Sequence, residues 1–156
     1  MMLNTVAQNF FFLLRSSSRI CALPLACVVE TMRPLPIRPF LGSPAFVPGM
    51  SVIRGTPIVV VDLGVLLGRQ EPTIVSRFVT LRVGERRLAL AVESVLGIKQ
   101  VPESSLQALP SLLRDSDLQL VDRVGVLDSD LLVVLQASRM LPDEIWHAMM
   151  AEEGNT

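Results

Sequence analysis

The chain of 156 residues has no tyrosine, a single tryptophan, a single histidine and a single lysine, and each scarcity removes a class of function. Barrels that bind oligonucleotides or oligosaccharides stack their ligands on exposed aromatic rings beside a basic groove. Here the six phenylalanines sit mostly within apolar runs, and Trp146 lies near the end of the chain. Charge of one sign is lacking as well: the net charge is −1, with acids alternating with arginines, so no nucleic-acid partner is expected. An oligonucleotide- or oligosaccharide-binding barrel remains only the alternative reading. Catalytic signatures are missing too. His147 has no nucleophile near it in sequence, and no phosphate-binding loop, H-E-x-x-H, C-x-x-C or G-x-S-x-G occurs, so neither enzyme activity nor a cofactor is expected. Asp115, Asp117, Asp128 and Asp130 pair at alternate positions but lack the oxygen-rich loop and glycine of a calcium site, which predicts solvated turns and no metal.

Long hydrophobic runs are also missing. The longest uncharged apolar stretch, residues 20–29, contains Pro24 and falls far short of the roughly 20 residues a spanning helix needs. No positive charge precedes the apolar residues 10–14, and Arg15 and Arg19 break the run at once, unlike a signal peptide. Pro24 stands where a lipoprotein cleavage box before Cys27 wants a branched apolar residue. No direct membrane insertion is expected. With only Cys21 and Cys27, neither a disulfide framework nor a metal site is indicated; both read as small hydrophobes in a cytoplasmic setting.

What the chain does have is apolar content, at half of its residues, in a length suited to one domain with a real core. Thirteen of its fourteen basic residues are arginine, which suits planar pairing with carboxylates at interfaces, although a GC-rich genome would give the same bias. Strand signals dominate: residues 10–15, 19–25, 58–63, 77–83, 87–92, 124–127 and 131–135 are short, rich in β-branched or aromatic residues and bounded by turn formers. Ser16-Ser17-Ser18, Gly84-Glu85 and Asp128-Ser129-Asp130 read as hairpin turns. A short helix is expected over residues 26–32. Pro34, Pro36, Pro39, Pro44 and Pro48 then forbid regular structure until about Ser51, with Leu35, Ile37, Phe40 and Phe46 placed to pack. Pro142 opens a final helix over residues 143–151, with Asp143 and Glu144 at the positive end of its dipole.

The sequence is also doubled. Moved on by 67 positions, Phe11 falls on Phe78, Leu14 on Leu81, Arg15 on Arg82, Arg19 on Arg86 and Val28 on Val95. Moved on by 74, the run Ile58-Val59-Val60-Val61 falls on Leu132-Val133-Val134-Leu135. Matches in the same order across both halves are what two related β subunits in one chain produce. The doubling implies an all-β fold of two small barrels, each too small to be stable alone and packed against a shared apolar interface.

Four segments resemble the CheW-like domain, in order and at that family's spacing. Val28-Val29-Glu30 is similar to its V-x-E, and Pro44-Ala45-Phe46-Val47-Pro48-Gly49 to its P-x-F-(I/V/L)-x-G. Val52-Ile53-Arg54-Gly55 resembles N-L-R-G and leads into Val59-Val60-Val61-Asp62-Leu63, similar to P-V-V-D-L. Leu90-Ala91-Val92-Glu93-Ser94-Val95 resembles G-L-x-V-D-x-V. The chain departs from the family at Val52, Ala89, Glu93 and Gln136, where Asn, Gly, Asp and Asp or Asn are usual. The resemblance implies two SH3-like five-stranded barrels in a single domain over residues 6–141, followed by a terminal helix and tail over 142–156. It implies a non-catalytic adaptor at membrane-associated receptor arrays. Its partners would be the regulatory domain of a CheA-like histidine kinase and the cytoplasmic tip of methyl-accepting chemoreceptors.

The residues that would carry binding are Arg54, Glu30, Val28, Gly49 and Gly55. Arg54 offers a guanidinium at a turn, either to a partner's carboxylates and carbonyls or inward to Glu30. Gly49 and Gly55 supply backbone freedom, and Gly55 lets a partner approach closely. Asp62, before Leu63-Gly64, reads as a cap of the following turn.

Overall fold

The computed structural model describes residues 9–109 and 120–154. Its strands are β1 (Phe10–Ser16), β2 (Arg19–Pro24), β3 (Val28–Met32), β4 (Gly49–Ile53), β5 (Thr56–Asp62), β6 (Arg77–Val83), β7 (Arg86–Val92), β8 (Ser94–Gln100), β9 (Gln107–Ala108), β10 (Val121–Leu127) and β11 (Asp130–Leu135). Two α-helices are described, α1 (Leu63–Leu66) and α2 (Asp143–Gly154). No described helix is long and apolar enough to cross a membrane.

The strands form two sheets. Sheet I has the order β8-β1-β2-β11-β10-β9, and sheet II the order β3-β6-β7-β5-β4. The all-β class stands as expected. Sheet II has the five strands anticipated and sheet I has a sixth, and both are open: among the described residues no strand pairing joins β8 to β9 or β3 to β4.

Backbone pairing repeats under the two sequence offsets. Phe11 faces Lys99 and Leu13 faces Gly97 in sheet I; 67 positions away, Phe78 faces Met32 and Thr80 faces Glu30 in sheet II. A bulge interrupts both pairings at the same place, leaving out Leu96 in one and Val29 in the other. The parallel pairs Cys21–Val133 and Leu88–Val59 correspond in the same way, as do the hairpin pairs Gly125–Leu132 and Ser51–Ile58. Yet the sheets are not the two halves of the sequence. Sheet I joins β1 and β2 to strands from after residue 93, and sheet II joins β6 and β7 to strands from before residue 63. Each half lends the other its first hairpin.

Side-chain alternation along these strands creates three apolar clusters. Phe12, Leu14, Cys21 and Leu23 of sheet I meet Val59, Val79, Leu81, Leu88 and Leu90 of sheet II in one cluster shared by both. The opposite faces close inward separately. Phe11, Leu13, Ile20, Ala22, Leu132 and Val134 fill the bowl of sheet I, while Ile53, Ile58, Val60, Phe78, Ala89 and Ala91 fill that of sheet II. Helix α2 adds Trp146 and Met149 to the shared cluster, and Arg86 lies 5.3 Å over the Trp146 ring and 3.4 Å from Asp143. Both thiols pack as small hydrophobes. Burial pushes Cys21 up to about 12 and Cys27 up to about 11, so neither is a thiolate near neutrality.

One expectation is corrected. Residues 26–32 are not a helix: a 3-10 turn, Leu25–Cys27, leads directly into β3, where Glu30 N–H donates to Thr80 Oγ1 and the β-branched residues sit against β6. The proline-rich stretch carries no regular structure up to β4, as anticipated. Arg38 and Met50 exchange backbone hydrogen bonds at 2.7 and 2.9 Å, and β4 begins at Gly49, directly after Pro48. Leu35 and Ile37 pack on sheet II, and Phe40 and Phe46 on the shared cluster, as anticipated. Asp62 caps α1, accepting from Val65 N–H at 3.1 Å and from Thr73 N–H at 2.9 Å, with the Thr73 hydroxyl also donating to it.

Candidate protein-binding site

The turn joining β4 and β5 places Arg54 and Gly55 at φ +50° and +80°. Positive φ at both central positions matches the twist of a tight hairpin, and glycine at the second lowers its cost. This turn projects Arg54 beyond the sheet, with three quarters of its side chain exposed (76%). Its Nε and Nη2 donate to Glu30 Oε1 and Oε2 at 2.9 and 2.8 Å, a bidentate pair. Glu30 is held by β3, its own backbone tied to Thr80 of β6. Because β3 and β4 are the two edges of sheet II, the pair spans the seam that a closed barrel would seal with strand hydrogen bonds.

The hydrogen bond from Arg54 holds the Glu30 carboxyl below its ordinary range, and the same bond raises Arg54. Arg87 also acts on Glu30 through space. In the second half of the chain the counterparts of Arg54 and Glu30 are Asp128 and Gly97, which form no such pair. The ion pair is therefore a departure from the internal repeat.

The other candidates occupy different settings. Gly55 has open space around it and a backbone that only glycine adopts cheaply, next to Arg54. Val28 is half-buried against the shared apolar cluster. Gly49 is buried at φ +153°, and a methyl group there would strike the Arg38 carbonyl and lie 2.9 Å from Ile37 Cγ2. It lets the proline-rich segment close on β4. The structure thus brings Arg54, Glu30 and Gly55 together and leaves Val28 and Gly49 in supporting packing.

No metal-binding group of three or more His, Cys, Asp or Glu occurs among the described residues. Asp128 and Asp130 lie in a hairpin turn, with Asp130 3.5 Å from Arg15, whereas Asp115 and Asp117 lie outside the described residues. Every phenylalanine and Trp146 is buried or half-buried, so the described residues offer no aromatic stacking platform. Exposed apolar side chains do occur, among them Leu96 and Ile98 on β8, and Val126 opposite Leu131 on β10 and β11.

A profile of the CheW-like domain matches residues 11–144. The chain belongs to the CheW-like domain family. It is 25% identical over 111 residues to the chemotaxis protein CheW of Rhizobium meliloti (strain 1021), covering 70% of this chain and 72% of that one. Its fold is similar to that of the scaffolding protein TtCheW from Thermoanaerobacter tengcongensis, with a TM-score of 0.75 at 18% identity, over 85% of this chain and 92% of that one. The family places the chain among the scaffold and adaptor proteins of chemotaxis. Within that CheW-like frame, the segment Val52-Ile53-Arg54-Gly55 is the β4–β5 turn that carries the ion pair.

Proposed function

We propose that this protein is a non-catalytic adaptor that couples methyl-accepting chemoreceptors to a CheA-type histidine kinase in the cytoplasm. The observation that carries the reading is the Arg54–Glu30 pair, held in solvent at the tip of a hairpin in a CheW-like fold. A guanidinium already oriented by one carboxylate loses little freedom on binding and keeps donors for a partner's carbonyls or carboxylates. The exposed side chains of Leu96, Ile98, Val126 and Leu131 add apolar area of the kind that protein interfaces bury. Apolar contact is not screened by salt, so kinase affinity should fall only modestly from low to high ionic strength.

The test is calorimetry with the cognate kinase regulatory domain and with a receptor cytoplasmic tip, at two salt concentrations. Binding to both supports coupling. Absence of kinase binding at either salt concentration overturns it.

A further inference from the structure

The repeat allows the two sheet bowls to be compared position by position. In sheet I the bowl is closed by its own side chains: Leu13 and Ile20 are buried there beside Gly97, which has no side chain. The counterparts in sheet II are Thr80, Arg87 and Glu30, all polar. The change leaves a cavity of about 390 Å³ at the mouth of sheet II, within the range of about 300–1,000 Å³ typical of ligand sites. Its floor is Ile53 and Ile58, which belong to the sheet II core, and its rim carries Glu30, Arg54, Glu85 and Arg87. Glu30 and Arg54 satisfy each other. The Arg87 side chain makes no hydrogen bond or ion pair within 4 Å among the described residues and acts on Glu30 only through space, so its donors stay open above an apolar floor.

We propose that this mouth receives a segment of a partner protein that inserts an aliphatic side chain toward Ile53 and Ile58, while an adjacent carboxylate pairs with Arg87. The inserted group does in trans what Ile20 does within sheet I, and the charge requirement is set by Arg87 in its place. This deepens the adaptor reading and rests on it for the identity of the partner, but the recognition chemistry can be measured without receptor or kinase.

The experiment is an NMR titration of the full chain with N-acetyl-leucyl-glutamate amide, against N-acetyl-leucyl-lysine amide. The methyl signals of Ile53 and Ile58 should move with the glutamate probe, and the lysine probe should bind about three- to fivefold more weakly, the range expected of an exposed ion pair. Arg87→Ile, which copies the apolar residue of sheet I, should abolish that preference, and Arg87→Gln should do so with the side-chain length kept if the first variant folds poorly. A titration that leaves both isoleucines unmoved, or an equal response to the two probes, overturns the proposal. So does a preference that survives in the Arg87 variants. A flat titration beside intact kinase and receptor binding would sink the pocket and spare the adaptor, whereas a positive one without kinase binding would do the reverse.

Discussion

Arg54 and Glu30, 24 residues apart, meet through two hydrogen bonds of 2.9 and 2.8 Å across the open seam of sheet II. The two readings of Arg54, as a partner-facing cation and as an internal partner of Glu30, are therefore compatible, since the pair is formed and still exposed. Reversing the charge, Arg54→Glu, removes a solvent-screened contact and should lower the melting temperature by no more than about 3 °C. The double reversal, Glu30→Arg with Arg54→Glu, should recover that loss because the pair is rebuilt in mirror order. Receptor and kinase affinity should fall at least about tenfold in both variants, because the partner meets the wrong charge at the tip. Thermal melts with calorimetry separate these effects. Recovery of binding in the double reversal would remove Arg54 from the contact surface.

The same pair predicts a pH dependence with a definite sign. Glu30 has its carboxyl pKa lowered in the folded chain, chiefly by the Arg54 hydrogen bond, from an ordinary value of 4.5. A carboxylate depressed on folding contributes stability above its unfolded pKa and loses it as pH falls through the folded one. The stability difference between the wild type and Glu30→Gln should therefore be level from neutral pH down to about 5 and disappear in more acid solution. Urea unfolding at several pH values measures it. A difference that grows on acidification would contradict the assignment.

Gly49 and Gly55 make opposite predictions despite sharing a positive φ. At Gly49 a methyl group strikes the Arg38 carbonyl, which itself is tied to Met50, so nothing nearby yields easily. Gly49→Ala should cost about 1–3 kcal/mol and lower the melting temperature by several degrees, with binding lost only in proportion to unfolding. At Gly55 there is room, and only the backbone preference at φ +80° is lost. Gly55→Ala should cost about 1 kcal/mol and displace Arg54, reducing partner affinity in a protein that remains folded. Equal stability losses at the two sites would refute this distinction.

Legibility in the sequence tracks locality. The hairpins β1–β2, β6–β7 and β10–β11 join strands close in sequence, and their β-branched and aromatic runs with turn residues such as Gly84 mark them directly. Strand β3 is hidden because it pairs with β6 some 50 residues on, and because the bulge at Val29 breaks its alternation, so that seven residues without glycine or proline resemble a helix turn. Strand β8 shares that bulge and is hidden in the same way. Arg54 and Glu30 stand out only through the family segments, and Arg87 through nothing local, since its meaning lies in the contrast with Ile20. The doubling is visible as two offsets, but matching one half to the other cannot tell which copy of a strand pairs with which.

That interleaving gives the remaining prediction its force. If each half formed its own sheet, residues 1–75 and 76–156 could each retain a folded bowl. Instead, the first half holds β1 and β2 without their neighbours β8 and β11, and β3 and β5 without β6 and β7. The shared cluster is divided as well: Phe12, Leu14 and Val59 fall on one side of the cut, Leu81, Leu88 and Leu90 on the other. Each piece alone would expose unpaired strand edges and the apolar faces that now meet, so both should give poorly dispersed NMR spectra or aggregate. The intact chain should melt in one cooperative step. Mixed during refolding, the two pieces should recover a dispersed spectrum, because the cut lies between α1 and β6 and interrupts no strand. Their complex should melt at a temperature that rises with concentration, as a bimolecular equilibrium requires. A half that is soluble and well dispersed alone would show that the strands can pair within their own half, and the exchange of hairpins would then not be what holds the fold together.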